Sequence, residues 1–323
     1  MELLPVEGRA LALPILIPSI SSFETQLSPV DALRLQITMQ EPVSLVSAFD
    51  LVADTDGSLA SMCRAFRERG VLFLDSGGYE TSRWSRYGAS LDWSIDSFLA
   101  AAQPDLFDFA FSFDHFPDLS VEGWQSYADK LDTLLDKQRA IPDNKLIPVI
   151  HLRERVSKSR FSDDHAVQLV KNIAERRTCT FVAVTERELG DGLSARVALA
   201  RRIKEAISEE TETKLHILGC GNPMSFAAFA EVGVDCCDGL EWCRTYCSSD
   251  MRLYHFQHSK NIGKLIEPVS WPAQFVLDSS SDYYVQTAAI NLNNFANIVR
   301  AIQADPKKAM MLIETTFAER VTI

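Results

Sequence analysis

The chain has 323 residues, of which 46% are hydrophobic and 24% are charged, and its formal net charge is −12 at pH 7. These values are typical of a soluble globular protein, and the negative charge excludes a nonspecific nucleic-acid coat protein. No apolar run approaches the roughly 20 residues that span a bilayer, and the first residues lack the pattern of a signal peptide, so we expect no membrane partner.

Short apolar segments alternate with amphipathic segments along the chain. The apolar segments predict buried parallel strands, and the segments between them carry apolar residues at helical spacing. The predicted strands are 10–18, 43–48, 71–75, 108–114, 146–151, 179–185, 214–219 and 233–238. The predicted helices are 29–39, 57–69, 92–102, 120–139, 163–176, 194–209, 223–232 and about 284–303.

Eight consecutive β-then-α units predict an α/β fold, a (β/α)8 TIM barrel that forms one domain over residues 1–323. The alternative is an open doubly wound sheet, although eight consecutive units seldom stay open. A long insertion, 239–282, separates the eighth strand from the last helix. Insertions of this length after a barrel strand usually build function, so we expect it at the mouth of the barrel.

Polar side chains follow most of the predicted strands. The active site of a barrel forms at the C-terminal ends of its strands. The residues at those ends are Ser47, Asp50, Asp75, Asp114, His151, Glu186, Gly219, Gly221 and Asp238. For a single aspartate, the alternative is that it only caps the next helix. That alternative is weaker for Asp75, because the glycines that follow let a backbone approach a ligand, and Tyr79 offers a ring for stacking.

Two of these segments resemble motifs of a known family. Asp75-Ser76-Gly77-Gly78-Tyr79 resembles the Asp-Ser-Gly-Gly-(Phe/Tyr) motif of the tRNA-guanine transglycosylases, and the segment 233–238 resembles their Gly-Val-Asp-x-x-Asp segment. The pair Phe113-Asp114, the segment 218–223 and the last helix are similar in order and spacing. The resemblance covers most of the chain. It implies an enzyme that exchanges a guanine in nucleic acid for a 7-deazaguanine such as preQ0.

The resemblance also implies a role for each site residue. Asp238 would attack C1′ of the nucleotide and hold the sugar covalently while guanine leaves, and Asp75 would act as general acid and base. An anion suits this reaction because the glycosidic carbon becomes cationic. Asp114 would bind the pyrimidine edge of the base, which Tyr79 and Leu218 would sandwich. The expected base-binding residues are Ser76, Gly77, Gly78, Tyr79, Asp114, His151, Glu186, Leu218 and Gly219. No metal or redox cofactor is required for this step.

Three segments depart from the family pattern. His151 replaces a glutamine after the fifth strand, and it can still donate a hydrogen bond to a base carbonyl. The segment 184–190 replaces a glycine-rich segment of the family. Its bulkier side chains, including Glu186, should reshape the wall of the base pocket that faces the substituent at position 7 of the base. The zinc module of the family, with its Cys-x-Cys-x-x-Cys pattern, has no counterpart in this chain.

The seven cysteines are irregularly spaced, which favours a reducing cytoplasm over a disulfide framework. We therefore expect a cytoplasmic protein. Cys243, Cys247, His255 and His258 are residue types that bind zinc, but their spacing matches no standard site. Because buried free cysteines are common, we favour a packing role for them over a metal site.

The nucleic acid in which the guanine is exchanged is expected to be DNA, with tRNA as the alternative. The zinc module grips RNA in the tRNA enzymes, and the Asp-Ser-Gly-Gly-Tyr-Glu and Gly-Leu-Glu-Trp-Cys-Arg segments are similar to the DNA 7-deazaguanine transglycosylase branch. Trp84 and Trp242 are candidates to stack or wedge when the target base is extruded. Basic residues in the expected mouth loops, including the insertion 239–282, would contact the phosphate backbone. These residues are Arg83, Arg86, Arg153, Arg155, Arg244 and Arg252.

Other readings stay open at this point. A barrel that releases the base to water, or one that only binds it, would retain the same pocket. The sequence also leaves open whether a helper ATPase opens duplex DNA and whether the chain forms an oligomer.

Overall fold

A computed structural model describes residues 2–23, 27–85, 92–155, 159–247, 253–255 and 282–307, the side chains of 82–85, 246, 247, 253–255, 282–284 and 286 excepted. The strands are β1 Glu2–Val6, β2 Arg9–Leu13, β3 Ile15–Pro18, β4 Val43–Ser47, β5 Val71–Asp75, β6 Phe109–Phe111, β7 Leu146–Ile147, β8 Val149–Ile150, β9 Phe181–Thr185, β10 Lys214–Leu218, β11 Cys236–Gly239, β12 Thr245–Cys247 and β13 Leu253–His255. The helices are α1 Pro29–Thr38, α2 Ala48–Ala53, α3 Ser58–Arg67, α4 Gly78–Ser85, α5 Ile95–Ala101, α6 Trp124–Lys137, α7 Asp163–Arg176, α8 Leu193–Ser208, α9 Pro223–Glu231, α10 Glu241–Arg244 and α11 Asp282–Ala304, with a 3₁₀ turn at Glu186–Glu188.

Two parallel sheets carry the fold. One has the strand order β3-β11-β10-β9-β8 and the other the order β4-β5-β6-β7. The sheets meet at both ends. Only Pro148 separates β7 from β8, and Ser19, just after β3, forms a parallel bridge with Leu45 of β4. The predicted mixed α/β class with parallel strands is therefore confirmed.

Side chains from the two sheets pack against one another. The ring of Phe73 on β5 lies with its centroid 5.9 Å from that of Phe181 on β9, although the two strands belong to different sheets. The rings of Phe109 and Phe111 on β6 also contact this cluster. The imidazole of His216 on β10 lies 4.9 Å from Phe111, measured between ring centroids. An aromatic core therefore fills the space between the sheets, below the strand ends.

The helices cover the outer faces of the sheets with one apolar stripe each. In α7, buried Ala166, Leu169, Val170 and Ile173 recur at the three- and four-residue spacing of one helix face. Ser162 caps this helix and accepts a hydrogen bond from the backbone N–H of His165. In the described part of the chain, no helix is long and apolar enough to cross a membrane.

Several predicted boundaries are wrong, and two prolines explain most of the difference. The predicted strand 10–18 is divided at Pro14, and its first part, β2, pairs antiparallel with β1, a strand that the sequence analysis missed because Pro5 interrupts it. The predicted strand 146–151 is divided at Pro148, which has no N–H to donate. The eighth strand starts at Cys236, not at 233, because Gly233 with φ +87° ends helix α9.

The predicted insertion 239–282 contains α10, β12 and β13. Strands β12 and β13 form a separate antiparallel pair. The remainder of the insertion, 248–252 and 256–281, lies outside the described residues. Its expected contact with nucleic acid stays a prediction.

Candidate active site

A cavity of about 800 Å³ lies at the C-terminal ends of the parallel strands and is bounded by residues from both sheets. Eight of the predicted catalytic and base-binding residues line it: Asp75, Gly78, Tyr79, Asp114, His151, Leu218, Gly219 and Asp238. The structure thus brings together the two aspartates that the sequence places 163 positions apart, since 238 − 75 = 163.

Asp238 is the buried carboxylate at the end of β11. Its Oδ2 accepts a hydrogen bond from the Ser19 hydroxyl, 2.9 Å away. Its Oδ1 lies 2.9 Å from Nε2 of His216 and accepts a hydrogen bond from the Gly219 N–H at 3.2 Å. Three contacts from the two neighbouring strands, β3 and β10, and the residues just after them therefore fix the orientation of this carboxylate.

His216 was missed by the sequence analysis. It is fully buried on β10, where its Nε2 faces the Asp238 carboxylate and therefore carries the proton. Within the described residues, the second ring nitrogen, Nδ1, has no hydrogen-bond partner. The available signal was a histidine inside the otherwise apolar strand Lys214–Leu218, two residues before the strand end.

Asp75 ends β5, beside the strand that carries Ser47. Its Oδ2 accepts a hydrogen bond from the Gly77 N–H at 2.9 Å. Burial raises the pKa of Asp75 well above its ordinary value, and the negative charges of Glu80, Asp114 and Asp238 raise it further, against the effect of the Gly77 hydrogen bond. Burial and the neighbouring negative charges therefore favour the protonated form of this carboxyl.

A second buried acid, Glu80, lies next to Asp75 and was also missed. Glu80 lines the cavity and accepts a hydrogen bond from the Ser47 hydroxyl at 2.9 Å. Burial, followed by the charge of Asp50, raises the pKa of Glu80 to about 7. Asp50 itself is buried and bonded to the Ser22 N–H, with its pKa raised by burial.

Gly78 is in close contact with Asp114. A Cβ atom at position 78 would lie 1.9 Å from Oδ2 of Asp114, so any side chain there would displace the carboxylate. Gly77 has φ +83°, a conformation that L side chains rarely adopt, and a Cβ there would also meet the backbone of Phe49. Glycine at both positions therefore allows the segment after β5 to approach Phe49 and the Asp114 carboxylate closely.

We expect Gly78→Ala to weaken guanine binding about tenfold or more, because the displaced Asp114 would lose its present direction. Equilibrium binding of guanine measures this effect. Gly123→Ala is the matched control, since its Cβ would meet only Gln125 Oε1 at 3.6 Å, an ordinary contact. An unchanged guanine affinity in Gly78→Ala would remove Asp114 from the base pocket.

His151 lies between two carboxylates. Its Nε2 is 3.1 Å from Asp114 Oδ1 and its Nδ1 is 2.9 Å from Glu188 Oε1. Phe116 stacks on the imidazole with 3.8 Å between ring centroids. Both ring nitrogens are therefore occupied, so the predicted hydrogen bond from His151 to a base carbonyl has no free donor in this arrangement.

Glu186, Ser76 and Gly77 lie behind the cavity lining. The Glu186 carboxylate pairs with the Arg196 guanidinium at 3.0 Å, whereas Glu188, two residues on, reaches the cavity. The Ser76 hydroxyl is buried, and its carbonyl accepts a hydrogen bond from Trp93 Nε1 at 2.9 Å. Ser76 and Gly77 thus shape the strand end. The predicted contact of these three residues with a base stays a prediction.

Tyr79 and Leu218 both line the cavity, with Tyr79 37% exposed and Leu218 partly buried. A planar ligand could contact them, as predicted. On the side of the cavity near Leu218, Gly221 and Gly239 touch backbone to backbone, since a Cβ at Gly239 would lie 2.4 Å from Gly221 Cα. This contact fixes the loop after β10 against the end of β11, next to Asp238.

Of the predicted cationic contacts, Arg155 and Arg244 line the cavity, and Arg187 joins them although it was not predicted. The Arg155 guanidinium lies 5.4 Å from the centroid of the Phe116 ring. Arg153 forms an isolated backbone bridge with Arg160 beside β8. Arg86 and Arg252 and the side chain of Arg83 lie outside the described residues.

Trp242 cannot wedge into a nucleic acid, contrary to the prediction. Its side chain is fully buried, and its Nε1 donates a hydrogen bond to the Ser19 carbonyl at 2.7 Å. The carbonyl of Trp242 in turn accepts a hydrogen bond from Asn291 of α11. Trp242 therefore anchors the start of the insertion. The side chain of Trp84 lies outside the described residues.

The candidate zinc set is described only in part. Cys243 is buried, and its thiol donates to the Leu240 carbonyl at 3.1 Å. His258 and the side chains of Cys247 and His255 lie outside the described residues. Among the side chains that the structure does describe, no group of three or more Cys, His, Asp or Glu could hold a metal ion.

The cavity thus combines a carboxylate fixed by three hydrogen bonds, a carboxyl whose pKa is raised by burial, and a third carboxylate that is hydrogen-bonded to a histidine. Three arginines also lie on its lining. No model of a known protein family matches the chain, and no curated protein sequence matches it.

Proposed function

We propose that the chain is a transglycosylase that exchanges guanine in DNA for a 7-deazaguanine base through a covalent aspartyl-sugar intermediate. The observation that carries this proposal is the pair of carboxyl groups in one cavity with opposite environments. Asp238 is held by three hydrogen bonds, and Asp75 has a raised pKa. Different environments of this kind divide nucleophile from acid in enzymes that cleave glycosidic bonds.

In the first half of the reaction, a carboxylate oxygen of Asp238 forms a bond to C1′ while the bond from C1′ to the guanine nitrogen breaks. Asp75 donates its proton to the departing guanine and becomes a carboxylate. In the second half, the incoming base gives its proton to Asp75 and attacks C1′, and the bond from the sugar to Asp238 breaks. Both residues return to their starting states, so the cycle needs no further reactant.

The base would lie between Tyr79 and Leu218, with its pyrimidine edge towards Asp114. That edge presents adjacent N–H donors, and Asp114 Oδ2 is the carboxylate oxygen that faces Gly78. The cavity of about 800 Å³ exceeds the space of a single base, which leaves room for the sugar and flanking phosphates.

The proposed architecture is a closed eight-stranded barrel. Its support is the bridge between Ser19 and Leu45, the short interruption at Pro148, and the packing of Phe73 against Phe181 across the two sheets. Closure of the barrel would bring the C-terminal ends of all strands to one mouth. This would explain why residues of both sheets line one cavity.

DNA is the proposed polymer. Arg155, Arg187 and Arg244 lie on the cavity lining, where they would meet phosphates around an extruded nucleotide. The sequence lacks the Cys-x-Cys-x-x-Cys pattern of the zinc module that grips RNA in the tRNA enzymes of the resembled family. The arginines suit the phosphates of either nucleic acid, and the missing zinc-module pattern favours DNA over tRNA.

An exchange assay tests the proposal. Labelled guanine is incubated with the protein and duplex DNA, with tRNA, or without a polymer. The proposal predicts label in DNA alone. Label in tRNA alone would replace DNA with tRNA as the substrate, and release of guanine without incorporation would identify a hydrolase. Guanine binding with no turnover on either polymer would leave only a base-binding module.

A further inference from the structure

Three ionisable side chains on the cavity lining, Asp114, His151 and Glu188, form one hydrogen-bonded series. Asp114 meets one nitrogen of the imidazole at 3.1 Å and Glu188 meets the other at 2.9 Å. The second oxygen of Glu188 accepts a hydrogen bond from the Leu152 N–H at 2.6 Å. His151 and Glu188 are 6% and 8% exposed. The series therefore ends on the backbone of Leu152. Among the described residues, no hydrogen bond reaches Asp114 Oδ2, so this oxygen is left for a ligand.

We propose that Glu188 and His151 are positioning residues that fix Asp114 as an acceptor for the donor edge of a guanine-type base. This inference deepens the proposed function and rests on the base-binding role of Asp114. Both oxygens of Glu188 and both nitrogens of His151 are already bonded, so neither residue needs to touch the base. Their effect on a ligand passes through Asp114.

The positioning depends on the charge of His151. Only a doubly protonated imidazole can donate to both carboxylates at once, because a neutral ring has one N–H. Burial alone lowers the pKa of His151, but the hydrogen bonds and charges of Asp114 and Glu188 outweigh it and raise the pKa to about 9. The ring therefore keeps both protons at neutral pH, and both hydrogen bonds persist.

Other ionisable groups surround the His151 ring, and none of those that the structure describes replaces the two carboxylates as a source of negative charge. The Tyr127 hydroxyl accepts a hydrogen bond from the His151 backbone N–H, and its pKa is raised well above the ordinary value by burial, so it stays neutral. Burial lowers the pKa of His115, which stacks on Tyr127. The Arg155 guanidinium lies over Phe116, the ring that stacks on His151. The two carboxylates are thus the groups that hold the charge of the imidazole.

Glu188→Gln removes one of the two charges that stabilise the imidazolium. The pKa of His151 should then fall from about 9 towards the ordinary histidine value of 6.5. Below its pKa the ring donates to Asp114 as an imidazolium. Above it the ring keeps the Nε2 proton, because the amide introduced by Glu188→Gln can donate to Nδ1, but it loses the charge that strengthens its hydrogen bond to Asp114. Glu80 titrates in the same cavity in both proteins, so the affinity of the variant is compared with that of the wild type at each pH. Relative to the wild type, Glu188→Gln should lose about tenfold in guanine affinity between about pH 6 and about pH 8.

The test combines two measurements on the full chain. Nitrogen-15 resonances of the imidazole report whether His151 carries one proton or two, and calorimetry gives the affinity for guanine at each pH. Glu154→Gln is the matched control, since Glu154 also accepts a backbone N–H at 2.6 Å, from Leu119, and does not line the cavity. His151→Gln has no titrating ring, so adding it to Glu188→Gln should abolish the pH dependence.

Each outcome has a defined meaning. Two ring protons on His151 in the wild type, with a pH-dependent loss of affinity in Glu188→Gln alone, support the proposal. A loss of affinity that is the same at every pH would show a merely structural role for Glu188. A single ring proton on His151 in the wild type would by itself overturn the proposed positioning of Asp114. Failure of the wild type to bind guanine would overturn the base-binding role of Asp114 and the proposed function together, even with an unchanged His151 titration.

Discussion

Asp238→Asn is expected to lower base exchange to below about one part in 10³ of the wild-type rate, because an amide cannot form the bond to C1′. No complex between protein and DNA should survive denaturation. Guanine affinity should stay within about twofold of the wild type, since Asp114, Tyr79 and Leu218 are unchanged. Denaturing electrophoresis and equilibrium binding measure the two effects separately.

The asparagine can be accommodated at position 238 without disturbing the fold. Its amide oxygen can accept the hydrogen bonds from His216 Nε2 and the Gly219 N–H that Oδ1 of Asp238 accepts now. The amide NH₂ can donate to the Ser19 hydroxyl, which switches from donor to acceptor. An unchanged melting temperature should accompany the loss of exchange. A denaturation-resistant adduct in Asp238→Asn would remove this residue from the role of nucleophile.

Asp75→Asn is expected to slow exchange by about 10²- to 10⁴-fold, because both half-reactions lose their proton carrier. The asparagine oxygen can still accept the Gly77 N–H that Asp75 accepts now at 2.9 Å, so the strand end keeps its shape. Asp238 remains intact in this variant, and slow formation of the covalent complex should continue. Single-turnover kinetics of complex formation distinguish Asp75→Asn from Asp238→Asn, which forms none.

The environment of Asp75 gives this prediction a pH dependence. The charge of Glu80 raises the pKa of Asp75, so Glu80→Gln should lower that pKa. Asp75 must be protonated to assist the departure of guanine, and it would lose its proton at lower pH in the variant. The alkaline limb of the rate profile should therefore move to lower pH. An unchanged limb in Glu80→Gln, together with full exchange in Asp75→Asn, would contradict the proton-carrier role.

The alternation of strands and helices could be predicted from the sequence, because continuous apolar runs such as Val71–Asp75 are typical of buried parallel strands. The interruptions at Pro14 and Pro148 were present in the sequence, but the apolar residues on both sides masked them. Strand β1 could not be predicted from apolar runs, since Pro5 breaks its pattern and only pairing with β2 stabilises it.

Asp75, Asp114 and Asp238 could be placed in one site because the C-terminal ends of parallel strands meet at one edge. The sequence could not show which buried polar groups lie behind them. His216, Glu188 and the acid pair of Glu80 and Asp50 act through contacts between segments far apart in the chain. The pKa values of these groups depend on burial, which becomes apparent only in the folded protein.

The expectation for Trp242 was wrong for a related reason. A tryptophan in a predicted mouth loop suggests stacking on a base, but here the indole N–H reaches the Ser19 carbonyl and the ring is fully buried. Its neighbour Arg244 is exposed and lines the cavity. Which of two adjacent side chains faces the ligand depends on the backbone of α10, and local composition does not determine it.

Mass spectrometry of the trapped complex tests the central claim most directly. Wild-type protein is denatured during turnover on DNA that contains guanine and is then digested, and the peptide that carries the sugar is sequenced. The division of roles in this cavity predicts the sugar on Asp238 and on no other carboxylate. A sugar on Asp75 or Glu80, or a full exchange reaction without any covalent complex, would contradict it.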